Sequence, residues 1–522
     1  MNLGVWNVYF ILKLILFING VIAFNFLRNL AFIAFLFLPA RNKFLNFFKQ
    51  LIAIPIGVYL FYVDSYLPPF SRLLAQTAKL SNFSASYLLE LVTRLVSINF
   101  VLTLFIISVF YFMFHKIIRI SVLVTGAVIY LQLSNSHLKF PTAQSVDTVA
   151  TETKNVNSTK VNLAEQLANY KNTFFSQQAG LKLTLNKELA TQSNFDILVL
   201  SVCSLAWEDV KTFHQENHKL FKEFDIIFEH FNTATSYSGP AIVRLFHANC
   251  GQKTHTDLLS QKLDPKCSLL ENLKNVGFDI ELVLNHNGAW DNFLYLIKEK
   301  GGMDADPMQY KLNPYLVSFD GSYIYRDIDV ISQWLTQHES SPAHKKFTFY
   351  NTSSLHDGVR FEKEKQLKAS ETYERRLITL LDDMYAILES LKKLNRPIVV
   401  LFVPEHGANI RGDKVQIAGM RELPSPAITN VPVGLKIIGN NMQRIGEQKH
   451  VTQPSSFFAI AYLVNQLLEK NIFSHNQFEP EKLLNNLPET PMVSENEGST
   501  VIQYDGNYYY SFNNNEWIKY DE

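Results

Sequence analysis

The first 140 residues are apolar and almost free of acidic groups. They carry eleven Lys and Arg side chains but only two carboxylates, Asp64 and Glu90, whereas the whole chain of 522 residues is balanced at 48 basic and 48 acidic side chains. A bilayer selects such a segment, because a charged side chain at the centre of a membrane helix costs roughly 3 kcal/mol. The remaining residues carry the compensating negative charge, and we expect them to form a soluble part.

Five apolar stretches lie in this basic segment, at about residues 5–24, 26–40, 51–63, 95–114 and 117–134. Several are shorter than the ~20 residues that a membrane helix needs, so their boundaries are approximate. Arg28 and Asn29 indicate a tight turn or a kink between the first two. A cleaved signal peptide is the competing interpretation of the first stretch, but Lys13 lies within it and no small-x-small cleavage site follows.

Basic residues follow the second and the fourth stretch, at Arg41, Lys43, Lys49, His115, Lys116 and Arg119. By the positive-inside rule both loops face the cytoplasm, so the polar region after residue 140 is expected on the other side of the membrane. We expect three parts: a transmembrane domain of about five helices (1–135), a linker with a leading helix (136–190) and a soluble domain (191–522).

The polar composition of residues 134–160 is typical of a tether, and the spacing of Leu163, Leu167 and Phe174 predicts a helix after it. From residue 192 onward, short apolar runs alternate with amphipathic stretches. Continuous Val, Ile and Leu runs at 196–203, 346–350 and 397–403 are typical of strands covered on both faces. The alternation of such strands with amphipathic helices predicts an α/β domain with a mostly parallel central sheet.

The soluble part contains the three cysteines of the chain. Cys250 and Cys267 flank a polar loop and are expected to form a disulfide in an oxidising compartment. Cys203 ends the first predicted strand of the domain and is either a buried small side chain or a metal thiolate. The aromatic-rich tail at 503–522 predicts a terminal hairpin rather than a sugar-binding platform. No basic stripe with interleaved aromatics occurs in the polar part, so a nucleic-acid partner is not indicated.

Polar residues follow the predicted strands. In α/β folds, binding and catalytic residues lie at the carboxyl ends of the strands. Cys203 with Glu405 and His406 would form a Zn²⁺ shell with an open position, because Gly407 relaxes the backbone after the strand. Ser238 precedes a helical stretch, where backbone N–H groups favour a phosphate and a neighbouring Zn²⁺ would activate the hydroxyl. The alternative for Ser238 is a simple helix cap.

These residues lie in stretches that resemble a known family, the phosphoethanolamine transferases of the alkaline-phosphatase superfamily, and more narrowly those of bacterial cellulose biosynthesis. The resemblance is carried by residues 234–241 (ATSYSGPA), 285–288 (NHNG), 349–352 (FYNT), 355–358 (LHDG), 403–407 (VPEHG), 424–429 (PSPAIT), 431–434 (VPVG) and 453–457 (QPSSF). The lipid-modifying relatives carry Glu, Thr and Asp where this chain has Cys203, Ser238 and Glu405, whereas the cellulose-type enzymes share its choices.

The resemblance implies an alkaline-phosphatase-like fold in the periplasm, anchored in the inner membrane by five spans. It implies that Cys203, Ser238, Glu405 and His406 bind zinc and that Ser238 is the nucleophile. The other residues that match positions near the family's phosphate site are Tyr237, His356 and Arg421. His356 could move protons and Arg421 could clamp phosphate oxygens, although a solvated surface role is the alternative for Arg421.

The implied reaction takes phosphoethanolamine from phosphatidylethanolamine to glucosyl 6-hydroxyls of cellulose, next to a cellulose synthase complex. A lipid or another envelope glycan as acceptor, with phosphoethanolamine or glycerophosphate as the group transferred, would keep the same site, and a non-catalytic scaffold of a polysaccharide synthase is the alternative from another class. A sulfatase is disfavoured, because Leu205 and Trp207 stand where its formylglycine motif needs Pro or Ala and Arg.

Overall fold

The computed structural model describes residues 3–18, 22, 24–39, 42–65, 87–90, 93, 98–114, 117, 119–137, 152–340, 345–394, 396–439, 441–512 and 517–520. Its described N-terminal residues include five apolar helices. These are α1 (Trp6–Ile18), α2 (Phe26–Phe37), α3 (Lys43–Asp64), α4 (Ile98–Phe114) and α5 (Ile120–His137).

The five helices coincide with the five predicted stretches, but their lengths differ. Within the described ranges only α3, with 22 residues, is long and apolar enough to cross a bilayer, and the other four are shorter apolar helices. An anchor of five membrane spans therefore stays a prediction. His115 and Lys116, on which the orientation partly rests, lie outside the described residues.

Two predicted boundaries in this region are wrong. Helix α3 begins at Lys43 rather than near residue 51, because Asn42 caps it by accepting a hydrogen bond from the backbone N–H of Leu45 at 2.8 Å. Arg28 and Asn29 mark neither a turn nor a kink; both lie in the first turn of α2. A local cap sets the start of α3, and a distant partner allows Asn29 to lie within α2.

That distant partner is a buried polar cluster at the centre of the N-terminal helices. The ammonium group of Lys13 on α1 donates to Asp64 on α3 at 2.6 Å and to Asn29 on α2 at 2.8 Å. Asn29 in turn donates to Asp64 at 2.7 Å, and the lysine and aspartate side chains are 0% and 2% exposed. The pairing explains how a lysine and one of the two carboxylates of this region are accommodated in apolar helices.

We predict that removing one charge of this pair destabilises the N-terminal helices, because the other charge stays buried without a partner. Lys13→Met should lower the free energy of unfolding by about 3–5 kcal/mol. The double variant Lys13→Met/Asp64→Asn should recover most of that loss, since it buries no charge. Thermal unfolding of the full-length protein in detergent measures both, and a Lys13→Met variant as stable as the wild type would contradict the prediction.

The part of the chain from Glu152 onward begins with a long helix and continues as an α/β domain. Its helices are α6 (Glu152–Gly180), α7 (Lys187–Gln192), α8 (Trp207–Thr212), α9 (Lys219–Glu223), α10 (Ser238–Phe246), α11 (His255–Ser260), α12 (Leu269–Lys274), α13 (Phe293–Glu299), α14 (Asp327–Glu339), α15 (Ala369–Leu391), α16 (Pro426–Thr429), α17 (Phe457–Glu469) and α18 (Pro480–Leu483). Short 3₁₀ turns occur at Trp290–Asn292, Glu362–Glu364 and Ile472–Ser474.

Its strands are β1 (Asp196–Val202), β2 (Ile226–Asn232), β3 (Phe278–Leu284), β4 (Leu316–Val317), β5 (Tyr323–Ile324), β6 (Lys345–Thr352), β7 (Arg360–Phe361), β8 (Ile398–Phe402), β9 (Asn430–Ile438), β10 (Gln443–Arg444), β11 (Lys449–Val451), β12 (Gln477–Phe478), β13 (Val493–Asn496), β14 (Ser499–Tyr504), β15 (Asn507–Phe512) and β16 (Ile518–Tyr520).

Seven of these strands form the central sheet, in the order β11-β2-β9-β8-β1-β6-β3. All run in one direction except β9, which pairs antiparallel with β2 and β8. The prediction of a mostly parallel sheet is confirmed, and β9 makes the sheet mixed. Strands β13 to β16 form a separate antiparallel sheet, so the hairpin predicted for the C-terminal tail is also confirmed.

The continuous apolar runs form strands because both faces of the sheet are covered. Along β1, Ile197 and Val199 belong to one hydrophobic core, together with α10 and α17. The alternating residues Leu198 and Leu200 belong to the other core, together with α14 and α15. A strand that is buried on both sides has no polar face, which is why no alternation appears in its sequence.

The connections agree only partly with the prediction. Helix α5 reaches His137 and α6 begins at Glu152, so both ends of the predicted tether at 134–160 are helical, and 138–151 lie outside the described residues. Helices α5 and α6 extend beyond the apolar residues from which they were predicted, although Thr and Asn have low helix propensity. The disulfide between Cys250 and Cys267 is present, and Cys203 is a buried free thiol.

Candidate active site

Three neighbouring strands bring the predicted residues to one edge of the sheet. Cys203 follows β1, and its backbone N–H donates to the carbonyl of Thr352 at the end of β6, at 3.0 Å. Glu405 follows β8, and its N–H donates to the carbonyl of Val202 at 2.9 Å. Because β8, β1 and β6 are parallel neighbours, their carboxyl ends meet, as the sequence predicts.

Cys203, Glu405 and His406 form a compact cluster of three buried potential metal ligands. One ligand atom of each, a thiol sulfur, a carboxylate oxygen and an imidazole nitrogen, lies within 4.8 Å of the other two. The residues are 3%, 2% and 1% exposed. Cys203 Sγ lies 3.8 Å from Nε2 of His406. Sulfur, nitrogen and oxygen donors at this spacing are the ligand types that Zn²⁺ takes in proteins.

Hydrogen bonds turn the histidine and the glutamate toward a common point. Nδ1 of His406 lies 2.8 Å from the carbonyl of Gly407, so this nitrogen carries the proton and the lone pair of Nε2 faces Cys203. Asn351 donates to Oε1 of Glu405 and accepts at its own oxygen from Nε2 of His286 at 2.9 Å. Oε2 of Glu405 is buried and has no hydrogen-bond partner among the described residues.

The electrostatics of the cluster favour a bound cation. Burial raises the pKa of the Cys203 thiol to about 12 and raises the pKa of Glu405. Burial also lowers the pKa of His406 well below its usual value. Without a cation, burial therefore disfavours the charged form of all three groups. A divalent cation stabilises a thiolate and a carboxylate there and supplies a partner for Oε2 of Glu405, so the residues fit a zinc ion.

Ser238 lies against this cluster and does not act as the helix cap. It is the first residue of α10, and Tyr237 holds the cap position without a side-chain capping bond. The Ser238 hydroxyl oxygen lies 3.3 Å from Cys203 Sγ and 3.1 Å from Nε2 of His406. The capping alternative is therefore not what the structure shows, and the hydroxyl lies where a cation bound by the cluster would reach it.

Arg421 and Tyr237 lie on one side of the cluster. Nη1 of Arg421 is 3.3 Å from the hydroxyl of Ser204 and 3.1 Å from Nδ1 of His406, which excludes a freely solvated side chain. The hydroxyl of Tyr237 donates to Glu422 at 2.8 Å. Asn496, on β13, donates to the carbonyls of Arg421 and Glu422 at 3.1 and 3.0 Å. The C-terminal sheet thus supports the loop that carries the arginine.

His356 lies in the loop after β6 and stays neutral. Burial, reinforced by the nearby charge of Arg421, lowers its pKa to about 4. Nδ1 lies 2.8 Å from the carbonyl of Asp357, which places the proton on Nδ1 and leaves Nε2 as an acceptor. The positive charge of Arg421 contributes to the lowered pKa of both His356 and His406. A neutral imidazole of this tautomer is suited to accept a proton from a hydroxyl group.

Three residues of the site received no predicted role from the sequence: His286 and Asn351, which lie in the motif stretches 285–288 and 349–352, and Asp209. Asp209 is 2% exposed and accepts from the backbone N–H groups of Ala206 and Ala408 at 2.9 and 2.8 Å, so it ties together the loops after β1 and β8. A Cβ on Gly407 would lie 2.6 Å from the Ala206 methyl, which explains the glycine. The only sequence signal for Asp209 was its position in the first turn of a short helix.

The fold and the site define a class: an α/β protein, preceded by apolar helices, with a site at the carboxyl edge of a mixed sheet. A buried cysteine, glutamate and histidine and a half-buried serine there can hold a divalent cation. Residues 150–517 match the family model described as the cellulose biosynthesis protein BcsG C-terminal domain, and residues 6–133 match the BcsG N-terminal domain. The chain belongs to the BcsG family of cellulose biosynthesis proteins.

Named relatives agree with this assignment. The chain is 36% identical over 544 residues to the cellulose biosynthesis protein BcsG of Salmonella typhimurium, covering 100% of this chain and 97% of the relative. It is 36% identical over 548 residues to the BcsG of Escherichia coli, with the same coverage. A crystal structure of an alkaline phosphatase superfamily protein from Vibrio parahaemolyticus is 12% identical over 63% of this chain and 80% of that chain, with a TM-score of 0.46.

We predict that Asn351 controls cation binding through Glu405. Asn351→Ala removes the strong donor to Oε1 and should weaken zinc affinity by about 10–100-fold, the usual effect of losing a group that orients a ligand. Ser201→Ala is the matched control, because the Ser201 hydroxyl approaches the same oxygen only at 3.4 Å and should have a much smaller effect. Competition with a chelator measures both affinities, and equal effects would contradict the prediction.

Proposed function

We propose that the chain is a zinc-dependent phosphoethanolamine transferase of cellulose biosynthesis. It would take the group from phosphatidylethanolamine and place it on glucosyl 6-hydroxyls of cellulose through a covalent intermediate on Ser238. The observation that carries the proposal is the Ser238 hydroxyl at 3.3 Å from Cys203 Sγ and 3.1 Å from His406 Nε2, beside a buried cluster of three potential metal ligands. Membership in a cellulose biosynthesis family supports the acceptor.

Four residues would hold the ion: Cys203, Glu405, His406 and Ser238. When bound, zinc lowers the pKa of a coordinated hydroxyl and stabilises negative charge on phosphate oxygens. Ser238 at the start of α10 adds a second source of stabilisation, because the first backbone N–H groups of a helix face an approaching anion. Arg421 would contact the phosphate oxygens from the side of Ser204.

In the first half-reaction the oxygen of Ser238 forms a bond to phosphorus and the bond from phosphorus to the glyceryl oxygen breaks. The proton lost by Ser238 ends on the departing diacylglycerol, with His356 as the imidazole that can carry it. In the second half-reaction the oxygen of a glucosyl 6-hydroxyl forms a bond to phosphorus and the bond from phosphorus to the Ser238 oxygen breaks. The proton of the 6-hydroxyl passes through His356, and Ser238 regains its hydroxyl. The neutral state of His356 suits the acceptance of a proton in this second step.

The membrane helices give the proposal its setting. Phosphatidylethanolamine does not leave the bilayer, so the enzyme must stay beside it. We propose that α1 to α5 form a multi-pass anchor in the bacterial inner membrane and that residues 191–522 form the periplasmic catalytic domain, with an alkaline-phosphatase-like fold. The acceptor is a polymer that emerges from its synthase, so a cellulose synthase complex is the partner expected next to this anchor.

We predict that Ser238→Ala abolishes transfer, with a loss of about 10³-fold or more, because no other group replaces the nucleophile. In the wild type, incubation with phosphatidylethanolamine and rapid acid quench should leave phosphoethanolamine on the tryptic peptide 223–244, at Ser238. Tandem mass spectrometry locates the adduct, and Ser204→Ala is the control variant that keeps the nucleophile. Transfer by Ser238→Ala, or an adduct at another side chain, would refute the mechanism.

A further inference from the structure

A short segment of the N-terminal region packs on the α/β domain beside the loop that carries His356. Residues 87–90 are helical and lie between α3 and α4 in the chain. Tyr87 and Glu90 are 6% and 4% exposed. Both side chains contact the α/β domain.

Glu90 forms a buried ion pair with the α/β domain. Nη2 of Arg360 on β7 donates to Oε2 of Glu90 at 2.7 Å, and the two side chains are 7% and 3% exposed. The same carboxylate oxygen accepts the backbone N–H of Ala369, the first residue of α15, at 3.2 Å. A buried, charge-assisted pair holds its partners in one geometry, unlike a solvated ion pair.

Tyr87 contacts the loop itself. Its hydroxyl donates to Oδ2 of Asp357 at 3.0 Å, and its ring centroid lies 5.6 Å from that of Phe319. Phe319 in turn lies 5.4 Å from the ring of His356. Gly358, at φ +77°, has no Cβ where one would lie 2.8 Å from the Tyr87 ring, so the glycine allows this close approach. One aromatic ring separates the N-terminal region from the His356 imidazole.

The loop does not need this segment to keep its own shape. From the interior, Nη1 of Arg376 on α15 donates to the carbonyl of Ser354 at 2.6 Å. The side chain of Asn285 accepts from the backbone N–H of Ser353 at 3.1 Å. These bonds fix the loop from inside the domain. The contacts of Tyr87 and Glu90 instead determine where the site lies relative to the N-terminal helices.

The two connections between these regions differ greatly in reach. Seven residues lie between Glu90 and Ile98 at the start of α4, so the two are at most about 28 Å apart at full extension. The other connection includes residues 138–151, about 48 Å if extended, followed by α6, whose 29 residues span about 43 Å. Without the contact at residues 87–90, the α/β domain could move much farther from the N-terminal helices.

We propose that residues 87–90 are a latch that holds the mouth of the active site at the membrane surface, where a lipid donor can enter it. Tyr87 and Glu90 are positioning residues and do not touch the reacting atoms. The proposal rests on the proposed function, since it concerns how the bilayer donor reaches Ser238. The latch should therefore matter for a donor held in the bilayer and not for one dissolved in water.

The test compares two donors with full-length protein in lipid nanodiscs. One donor is phosphatidylethanolamine in the bilayer, and the other is water-soluble p-nitrophenyl phosphoethanolamine. Glu90→Gln and Tyr87→Phe should lower the rate with the lipid donor by about tenfold or more, and they should change the rate with the soluble donor by less than about threefold. The latch is refuted if neither variant slows the lipid donor, or if both donors slow in parallel.

Two control variants separate the latch from general damage. Arg376→Lys loosens the loop from inside and should slow both donors alike. Glu364→Gln breaks the exposed pair with Arg375 and should affect neither donor. Hydrogen exchange gives a readout that needs no activity: Glu90→Gln should speed exchange at the N–H of Ala369, and unchanged exchange refutes the contact. A wild type that uses neither donor would refute the proposed function instead, and the exchange result would still decide on the contact.

Discussion

The site depends on burying Cys203, Glu405 and His406 together where water cannot stabilise their charges. Burial raises the pKa of the thiol to about 12 and lowers the pKa of the imidazole, so without a cation the pocket favours neutral groups. The carboxylate oxygen Oε2 of Glu405 is left without a partner. Such an arrangement is unfavourable in the protein alone. A divalent cation stabilises the thiolate and the carboxylate, and it binds the neutral imidazole that burial already favours. Because the cluster favours a bound cation, the hydroxyl of Ser238 beside it lies where that cation would reach it.

The rest of the fold serves to hold these groups in place. The parallel strands β8, β1 and β6 bring two loops and a strand end to one edge, and Asp209 joins the two loops through their backbone N–H groups. Asn351 orients Glu405, while the C-terminal sheet supports Arg421 through Asn496. Ser238, the cluster of Cys203, Glu405 and His406, and Arg421 are thus held by different elements. Their geometry is a property of the whole domain.

Much of this arrangement could be predicted from the sequence, because its signals are local. Continuous apolar runs predict strands buried on both faces, and polar residues immediately after them predict a site at the carboxyl edge. The antiparallel direction of β9 could not be predicted, since nothing in its residues distinguishes it from a parallel buried strand. The start of α3 was placed too late, because Phe and Lys at 43–49 do not resemble a membrane helix and only Asn42 marks its beginning.

The contacts missed in the sequence are all between residues far apart in the chain. Lys13 counted as evidence against a signal peptide, but its pairing with Asp64 requires three helices to meet. Glu90 was one of two carboxylates in a basic segment, and its partner Arg360 lies 270 residues away.

X-ray absorption at the zinc edge tests the central claim most directly. The account predicts bound zinc with one sulfur ligand at about 2.3 Å, lost in Cys203→Ala. Purified protein without zinc, or an unchanged sulfur signal in that variant, would contradict it.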